Sequence, residues 1–129
     1  MRPNEVSYKV IGAAMAVHSA LGPGLLESAY EKAIGHEFTR MNLKHRRQVP
    51  LTVEYAGVKL SATYRLDFIV ADCLVVEVKA VEKLLPVHRA QLLSYIKLAN
   101  LPLGLLINFK TAHLRDGICR QINAPEAAL

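Results

Sequence analysis

The segments YRLDFIV at residues 64–70 and LVVEVK at residues 74–79 decide the fold. Both are short runs rich in β-branched and aromatic residues, which are typical of strands. Residues 71–73 lie between them and give a connection of hairpin length. The sequence therefore predicts two adjacent antiparallel strands at the centre of the chain.

Charged residues meet on one face of this predicted hairpin. Strand alternation places Glu77 and Lys79 on the face of Val75. The opposite face then consists of Leu74, Val76, Val78 and Ala80. Pairing across the hairpin puts Asp67 opposite Glu77, with their β-carbons about 4.5–5.5 Å apart.

Two carboxylates so close repel each other, and a divalent cation would relieve the repulsion. Their oxygen atoms suit Mg²⁺ or Mn²⁺. Lys79 points the same way and could orient a water molecule or offset developing negative charge. The structural alternative is a plain cross-strand salt-bridge group of Asp67, Glu77 and Lys79, worth well under about 1 kcal/mol if exposed.

The elements around the hairpin predict an α/β fold with a mixed four- or five-stranded sheet flanked by helices. Helices are expected at about residues 5–20, 25–41 and 86–100, and further strands at about 49–55, 103–109 and 117–123. The segment Leu21-Gly22-Pro23-Gly24 must break the first helix, and the turn Ala56-Gly57 separates two strands. The tail from residue 122 onward is expected to be frayed.

Apolar spacing predicts which faces of the helices are buried. In the first helix the spaced residues are Val6, Val10, Ala13, Ala14 and Val17. In the second they are Leu26, Tyr30, Ile34 and Phe38, and in the helix after Pro86 they are Ala90, Leu93, Ile96 and Lys97.

The bulk composition is that of a globular domain. With 129 residues, 52% hydrophobic and 21% charged, we expect one compact domain over residues 1–129. No apolar run reaches the roughly 18 residues of a membrane span, and the amino terminus lacks a secretory pattern, so a cytoplasmic location is expected. Cys73 and Cys119 are too few for a disulfide framework or a zinc or iron–sulfur centre, and each is expected in a strand or the core.

The net charge of +5 favours a polyanionic partner. The densest basic run, residues 44–47, could contact phosphates or could be a solvated turn between helix and strand. With no Trp and 6% aromatic residues, a base-stacking platform is not evident.

Several sequence blocks resemble the GxxExxY proteins, a bacterial group of the PD-(D/E)XK nuclease superfamily. Asp67, a spacer of nine residues and then Glu77-Val78-Lys79 resemble the D…ExK signature, and residues 24–30, GLLESAY, match the name-giving motif. Further similar blocks lie at residues 21–24, 77–80, 90–95 and 104–109, so the resemblance extends from about residue 5 to 122. One departure is Leu66, where a small residue is expected.

The resemblance implies a restriction-endonuclease-like fold and Mg²⁺- or Mn²⁺-dependent hydrolysis of phosphodiesters, with DNA favoured over RNA as the nucleic acid. It implies that Asp67, Glu77 and the Val78 backbone carbonyl ligate the metal, while Lys79 positions the attacking water. Glu27 resembles the helical acidic residue that completes the metal site. Gln91 resembles the first residue of the Q-x-x-x-Y element that borders the active site in RecB-like nucleases.

Tyr95 resembles the last residue of that element, but it could equally fill the core. Glu27 could instead stabilise its helix dipole, and Gln91 could belong to an ordinary packed face. His18 could reach the metal, although a structural role is favoured, and His88 is less convincing as a site residue. Asn108 could serve only to satisfy backbone groups.

Two other classes of function remain open. One is a non-catalytic nucleic-acid-binding module that retains the fold, and the other is a protein-interaction domain of a larger repair or defence assembly. The presence of Asp67, Glu77 and Lys79 together favours the enzyme. So small a chain offers limited surface for holding a duplex, which would be consistent with a homodimer.

Overall fold

The protein contains three helices and five strands. The computed structural model describes the backbone of residues 1–129 and the side chains of residues 1–60 and 64–129. In chain order the elements are α1 (Pro3–Leu21), α2 (Glu27–Arg40), β1 (His45–Tyr55), β2 (Val58–Val70), β3 (Leu74–Lys79), α3 (Pro86–Leu98), β4 (Leu103–Asn108) and β5 (Ile118–Ile122). Two short 3₁₀ turns, Leu114–Gly117 and Glu126–Ala128, flank β5.

The strands form one sheet in the order β1-β2-β3-β4-β5. The β3–β4 pair is parallel, and the other neighbouring pairs are antiparallel. Parallel neighbours need a crossover connection, which α3 supplies between β3 and β4. The prediction of a mixed sheet flanked by helices is confirmed, with five strands.

The sheet separates two hydrophobic clusters. The first packs α1 and α2 on one face and includes Val10, Val17, Tyr30, Ile34, Phe38, Phe68, Val76 and Val78. The second packs α3 on the other face and consists of Leu51, Leu66, Ile69, Val75, Leu92, Tyr95, Ile96, Leu106 and Cys119. The alternation predicted for β3 is confirmed, because Val76 and Val78 face the first cluster and Val75 faces the second. Cys119 is buried and Cys73 half-buried, both as free thiols.

The predicted buried faces are right for α1 and partly wrong for α2 and α3. All the predicted stripe residues of α1 are buried, as are Tyr30, Ile34 and Phe38 of α2, but Leu26 precedes α2 and is 79% exposed. In α3 the buried residues are Leu92, Tyr95 and Ile96, whereas Ala90 and Lys97 are exposed and Leu93 is half-buried.

The rotation of α3 is explained by its close approach to β4. A β-carbon at Gly104 would lie 2.8 Å from a methyl carbon of Ile96 and 2.9 Å from one of Leu92. Only glycine allows this contact, so the line from Leu92 to Ile96 faces the sheet.

The carboxyl-terminal tail is docked, so the prediction of a frayed end is wrong. Leu129 is buried in the α1–α2 cluster. Its backbone oxygen accepts a hydrogen bond from the Asn4 backbone N–H at 2.9 Å. Burial of the Leu129 side chain and this backbone hydrogen bond to the first turn of α1 hold the end of the chain.

The β1–β2 hairpin changes face partway along its length. Its ladder pairs Arg47 with Phe68 and Val49 with Leu66, and Gln48 between them has φ = 54°. Phe68 packs in the α1–α2 cluster, whereas Leu66, two residues earlier, packs in the α3 cluster. Regular alternation would place both on one face. Asp67 lies at the point where the face changes.

Candidate functional site

The Asp67 and Glu77 carboxylates each accept a hydrogen bond from the backbone of the other strand where β2 and β3 diverge. The ladder runs from Val70–Leu74 to Phe68–Val76, and Asp67 and Glu77 come next in this register. Here the side chains bond in place of the backbone: the Asp67 N–H donates to Glu77 Oε2 at 3.0 Å, and the Val78 N–H donates to Asp67 Oδ2 at 2.8 Å. Ala71, Asp72 and Cys73 form the connecting turn, as predicted. The two carboxylates therefore lie side by side at the end of β3.

Burial makes this pair electrostatically unfavourable without a cation. Glu77 is only 5% exposed. Desolvation, followed by repulsion from and hydrogen bonding with the Asp67 carboxyl, raises the pKa of Glu77 to about 9, although Lys79 acts to lower it. A neutral Glu77 could share its proton with Asp67. A bound cation would instead favour the charged form of both groups.

Glu27, in the first turn of α2, is within electrostatic reach of Asp67 and Lys79. Partial burial raises the pKa of Glu27; Lys79 opposes that shift, Asp67 adds to it, and the Ala80 backbone N–H lowers it by hydrogen bonding. Much of the Glu27 side chain faces solvent. It also borders a groove of about 330 Å³ that reaches Ala80 and Lys110.

Tyr95 approaches the carboxylates from α3. Burial raises the pKa of Tyr95, and Glu77, Tyr64 and Asp67 raise it further, so its hydroxyl lies within electrostatic reach of the pair. Its ring centroid is 5.8 Å from that of Tyr64, which is 46% exposed. The side chain is thus both packed against the sheet and at the border of the site. Gln91, one turn earlier, is exposed.

The two histidines considered from the sequence make structural contacts. His18 Nε2 lies 2.8 Å from the Thr111 backbone oxygen, and His18 borders a different cavity, of about 510 Å³, with Met15, His113 and Arg115. His88 Nδ1 accepts a hydrogen bond from the Leu85 N–H at 2.9 Å, which caps the start of α3. These contacts favour the structural interpretation of both residues.

Asn108 fixes the path of the chain just after Lys79. Its side-chain amide donates to the Val81 oxygen at 2.8 Å, and its side-chain oxygen accepts from the Val81 N–H at 3.0 Å. The Phe109 N–H donates to the Lys79 backbone oxygen at 2.9 Å. Asn108 is 1% exposed and satisfies backbone groups, as one interpretation of the sequence proposed. These bonds tie the Lys79 end of β3 to β4.

Asn108→Ala is expected to lower the free energy of unfolding by about 2–4 kcal/mol, because it leaves both polar groups of Val81 without their partner. Urea unfolding followed by circular dichroism measures the loss. Asn100→Gly is the control and should change stability far less, because it removes an exposed amide after α3 at a residue whose φ of 54° glycine adopts without strain. Equal effects of the two substitutions would contradict the anchoring role.

A further polar group near the site was not recognised from the sequence. Glu31, one turn after Glu27 on α2, is buried and accepts hydrogen bonds from Arg47 at 3.2 Å and from the Gln48 side-chain amide. The spacing of four residues from Glu27 was a usable signal, since it places both acids on one face of a helix. Nothing in the sequence pattern revealed the partners on β1.

The basic run at residues 44–47 is largely occupied by ion pairs. Lys44 Nζ lies 2.7 Å from Asp72, Arg46 lies 3.9 Å from the same carboxylate, and Arg47 pairs with Glu31. The first two pairs are exposed and of small energetic value. The ion pairs do not favour a dedicated phosphate contact, and the predicted turn is wrong for residues 45–47, which lie in β1 and pair with β2.

The donor atoms present fit a hard divalent cation. Asp67 and Glu77 supply carboxylate oxygens from adjacent strands, and the Val78 carbonyl lies between Glu77 and Lys79 in the chain. Mg²⁺ usually retains several water ligands and binds through one or two carboxylates. In the part of the chain whose side chains are described, no three His, Cys, Asp or Glu residues form a ready-made metal cluster. The chemistry therefore suits a hydrated ion on the Asp67–Glu77 pair better than an ion enclosed by protein.

The mixed five-stranded sheet flanked by helices, with an Asp67–Glu77–Lys79 group at the end of β3, defines a restriction-endonuclease-like α/β protein. The family model of the PD-(D/E)XK nuclease superfamily matches residues 4–121, and the chain belongs to that superfamily. Neither the comparison with curated proteins nor that with solved structures produced a match. In the described part of the protein, no helix has the length and apolar character needed to cross a membrane.

Proposed function

We propose that the protein is a nuclease that hydrolyses phosphodiester bonds with Mg²⁺ or Mn²⁺, and that its substrate is DNA. The observation that carries the proposal is the pair of side chain–backbone hydrogen bonds at the open end of the β2–β3 ladder, Asp67 N–H to the Glu77 carboxylate and Val78 N–H to the Asp67 carboxylate, with Lys79 next in the chain. Membership of the PD-(D/E)XK nuclease superfamily supports a nucleic-acid substrate. The preference for DNA is part of the proposal.

In this proposal Asp67, Glu77 and the Val78 carbonyl hold the cation. When bound, it supplies Lewis acidity toward the scissile phosphate and lowers the pKa of a coordinated water. The buried, mutually repelling carboxylates provide a reason for binding it, because an unpaired charge is costly in a desolvated position.

The other residues act on the water and on the developing charge. Lys79 orients the attacking water and offsets negative charge on the phosphoryl oxygens. Glu27 would add negative charge beside Asp67 and could hold a water ligand of the cation, and Gln91 and Tyr95 border the substrate cleft. Tyr95, which is 8% exposed, also lies within electrostatic reach of Glu77 and Asp67.

A cleavage screen tests the proposal. The purified chain is incubated with Mg²⁺ or Mn²⁺ and with single-stranded, duplex, flapped and branched DNA and RNA, with EDTA as the blank. Metal-dependent cleavage of at least one DNA form is expected. If RNA alone is cut, the DNA preference is wrong; if nothing is cut, the isolated chain is not a nuclease.

Binding of DNA is expected to weaken steeply as salt rises, because the net charge is +5 and phosphate contacts release counterions. With about four phosphate contacts, the affinity should fall roughly 10²-fold between 50 and 200 mM salt. Fluorescence anisotropy in EDTA measures this without cleavage. A salt-independent affinity, or no binding at low salt, would favour a protein-interaction domain instead.

A further inference from the structure

Asp67 is flanked by different polar groups on its two sides. Because β2 lies between β1 and β3, Glu77 adjoins Asp67 from β3 and Gln48 lies level with it on β1. The side-chain amide of Gln48 contacts Glu31 on α2, and Arg47 contacts the other oxygen of the same carboxylate at 3.2 Å. Glu31, Arg47 and Gln48 are called the β1 clamp below.

The buried carboxylate of Glu31 needs hydrogen-bond partners, and Arg47 and Gln48 supply them. Glu31 is only 9% exposed, and a buried carboxylate is costly unless its oxygens are hydrogen-bonded or paired. Arg47 and Gln48 engage its two oxygens separately. Since the two partners are consecutive in β1, their bonds fix this part of the strand against α2.

Gln48 adopts a backbone conformation that needs external support. Its φ of 54° lies in the left-handed region, which residues with a β-carbon seldom occupy. Such a conformation persists where the surroundings hold it, and it is often found near functional sites. The bond from the Gln48 side chain to the buried Glu31 provides that hold.

The conformation of Gln48 coincides with the change of face beside Asp67. Phe68, next to Asp67 on one side, packs under α2, and Leu66 on the other side packs under α3. If β2 kept its regular alternation here, the side chain of Asp67 would point in another direction. The direction of the Asp67 carboxylate thus depends on the kink at Gln48.

We propose that the β1 clamp is a positioning device, in which Glu31 and Gln48 hold the kink that directs the Asp67 carboxylate toward Glu77 and Val78. The proposal rests on the proposed function where it concerns metal affinity and rate. The orientation of Asp67 itself can be tested without metal or substrate. Neither Glu31 nor Gln48 is assigned contact with the nucleic acid or the reacting atoms.

Two substitutions weaken the clamp. Gln48→Ala removes the contact with Glu31 and keeps the β-carbon that makes the positive φ unfavourable, so the kink loses its support. Glu31→Gln keeps the shape of the side chain, removes the charge that pairs with Arg47 and leaves one acceptor oxygen in place of two. The matched controls are Asn42→Ala, at another residue with positive φ (55°), and Glu37→Gln, an acid of the same helix that pairs with Arg40 at 3.9 Å.

The first readout is hydrogen exchange of the Val78 amide in metal-free protein, measured by NMR. This amide donates to Asp67 Oδ2 at 2.8 Å, so its protection reports the position of the carboxylate. Exchange at Val78 should accelerate in both clamp variants relative to that at Val76, a β3 residue next to the site. In the two control variants the ratio should stay as in the wild type.

The second readout is function, measured with Mn²⁺ alone by calorimetry and with the preferred oligonucleotide by kinetics. Residues that hold metal ligands in place without contacting the metal typically contribute roughly 10- to 100-fold to metal affinity or activity. We expect a weakening of Mn²⁺ binding and a fall in kcat in that range, with KM for the oligonucleotide unchanged. A purely structural role would lower the folded fraction and leave these constants, per folded molecule, as in the wild type.

The outcomes separate this proposal from the nuclease proposal. If the wild type neither binds Mn²⁺ nor cleaves, the nuclease proposal fails, and the Val78 exchange ratio still decides whether the clamp orients Asp67. If that ratio is unchanged in folded Gln48→Ala and Glu31→Gln, the positioning role is overturned whatever the activity. Faster exchange at Val78 with unchanged Mn²⁺ affinity would overturn the part of the proposal that concerns metal binding.

Discussion

Asp67→Asn and Glu77→Gln should each abolish metal-dependent cleavage and remove detectable Mg²⁺ or Mn²⁺ binding. Each replacement keeps the size of the side chain and deletes one of the two carboxylates that adjoin at the end of β3. Uncatalysed phosphodiester hydrolysis is so slow that loss of the cation leaves no measurable turnover. Cleavage assays and calorimetry on the same preparations measure the two losses together.

The metal-free Glu77→Gln protein is expected to be more stable than the wild type. A glutamine can still accept from the Asp67 N–H and can donate to the Asp67 carboxylate. Glu77, whose pKa is raised to about 9, is instead ionised in the unfolded chain at pH 7 and must take up a proton on folding, which costs stability. The gain should be on the order of 1–2 kcal/mol, a rise in Tm of a few degrees, as is common where function opposes stability. Thermal melts in EDTA at pH 7 measure it.

The control is Glu82→Gln. Glu82 is an exposed acid in the loop after β3, and it pairs with Lys110. The control variant should retain cleavage, metal binding and Tm. Cleavage by either site variant at a rate near that of the wild type would show that the pair is a structural salt-bridge group and that the chemistry resides elsewhere. Loss of cleavage with intact metal binding would place the cation on other ligands.

The hairpin was the most predictable part of the fold. Alternation in residues 74–79 and a three-residue turn were sufficient to place Asp67 next to Glu77, because a strand has a fixed period of two and a short turn fixes the register. The buried stripe of α1 was predictable for a similar reason. In both cases the signal is local and periodic.

The errors have tertiary causes. The rotation of α3 depends on the close contact at Gly104 of β4, which helical spacing alone does not reveal. The docking of Leu129 depends on α1, at the other end of the chain. The conformation of Gln48 depends on a buried acid of α2, and no turn-forming residue marks it. Where the packing partner is distant in sequence, local patterns carry no information about it.

The residues of the candidate site also differ in how far the sequence could predict them. Asp67, Glu77 and Lys79 were identified through strand geometry as well as resemblance, whereas Glu27 and Tyr95 were identified by resemblance and are near the pair in the structure. Gln91 is exposed, so its role stays a prediction. Glu31 and Gln48 were missed because each is informative only together with the other.

Lys79→Ala and Lys79→Met should slow cleavage by about 10²–10³-fold, by analogy with loss of a single transition-state hydrogen-bond donor. Both variants should keep metal and DNA binding close to wild-type values. Lys79 is half-buried, and its charge opposes the rise in the pKa of both Glu27 and Glu77. In the proposed mechanism the same charge acts on the water and the phosphate. Single-turnover cleavage at saturating metal measures the chemical step directly.

Comparing the effect on kcat with the effect on binding distinguishes two roles of Lys79. It either stabilises the transition state or only neutralises the carboxylates. An interaction made only in the transition state lowers kcat and kcat/KM equally, whereas loss of a ground-state contact raises KM. Lys97→Ala, at an exposed position of α3, controls for the loss of one positive charge and should leave kcat unchanged. If Lys79→Ala instead raises KM in parallel with the Kd for DNA and leaves kcat intact, Lys79 is a phosphate-binding residue. The catalytic role proposed for it would then be wrong, while the metal pair of Asp67 and Glu77 would stand.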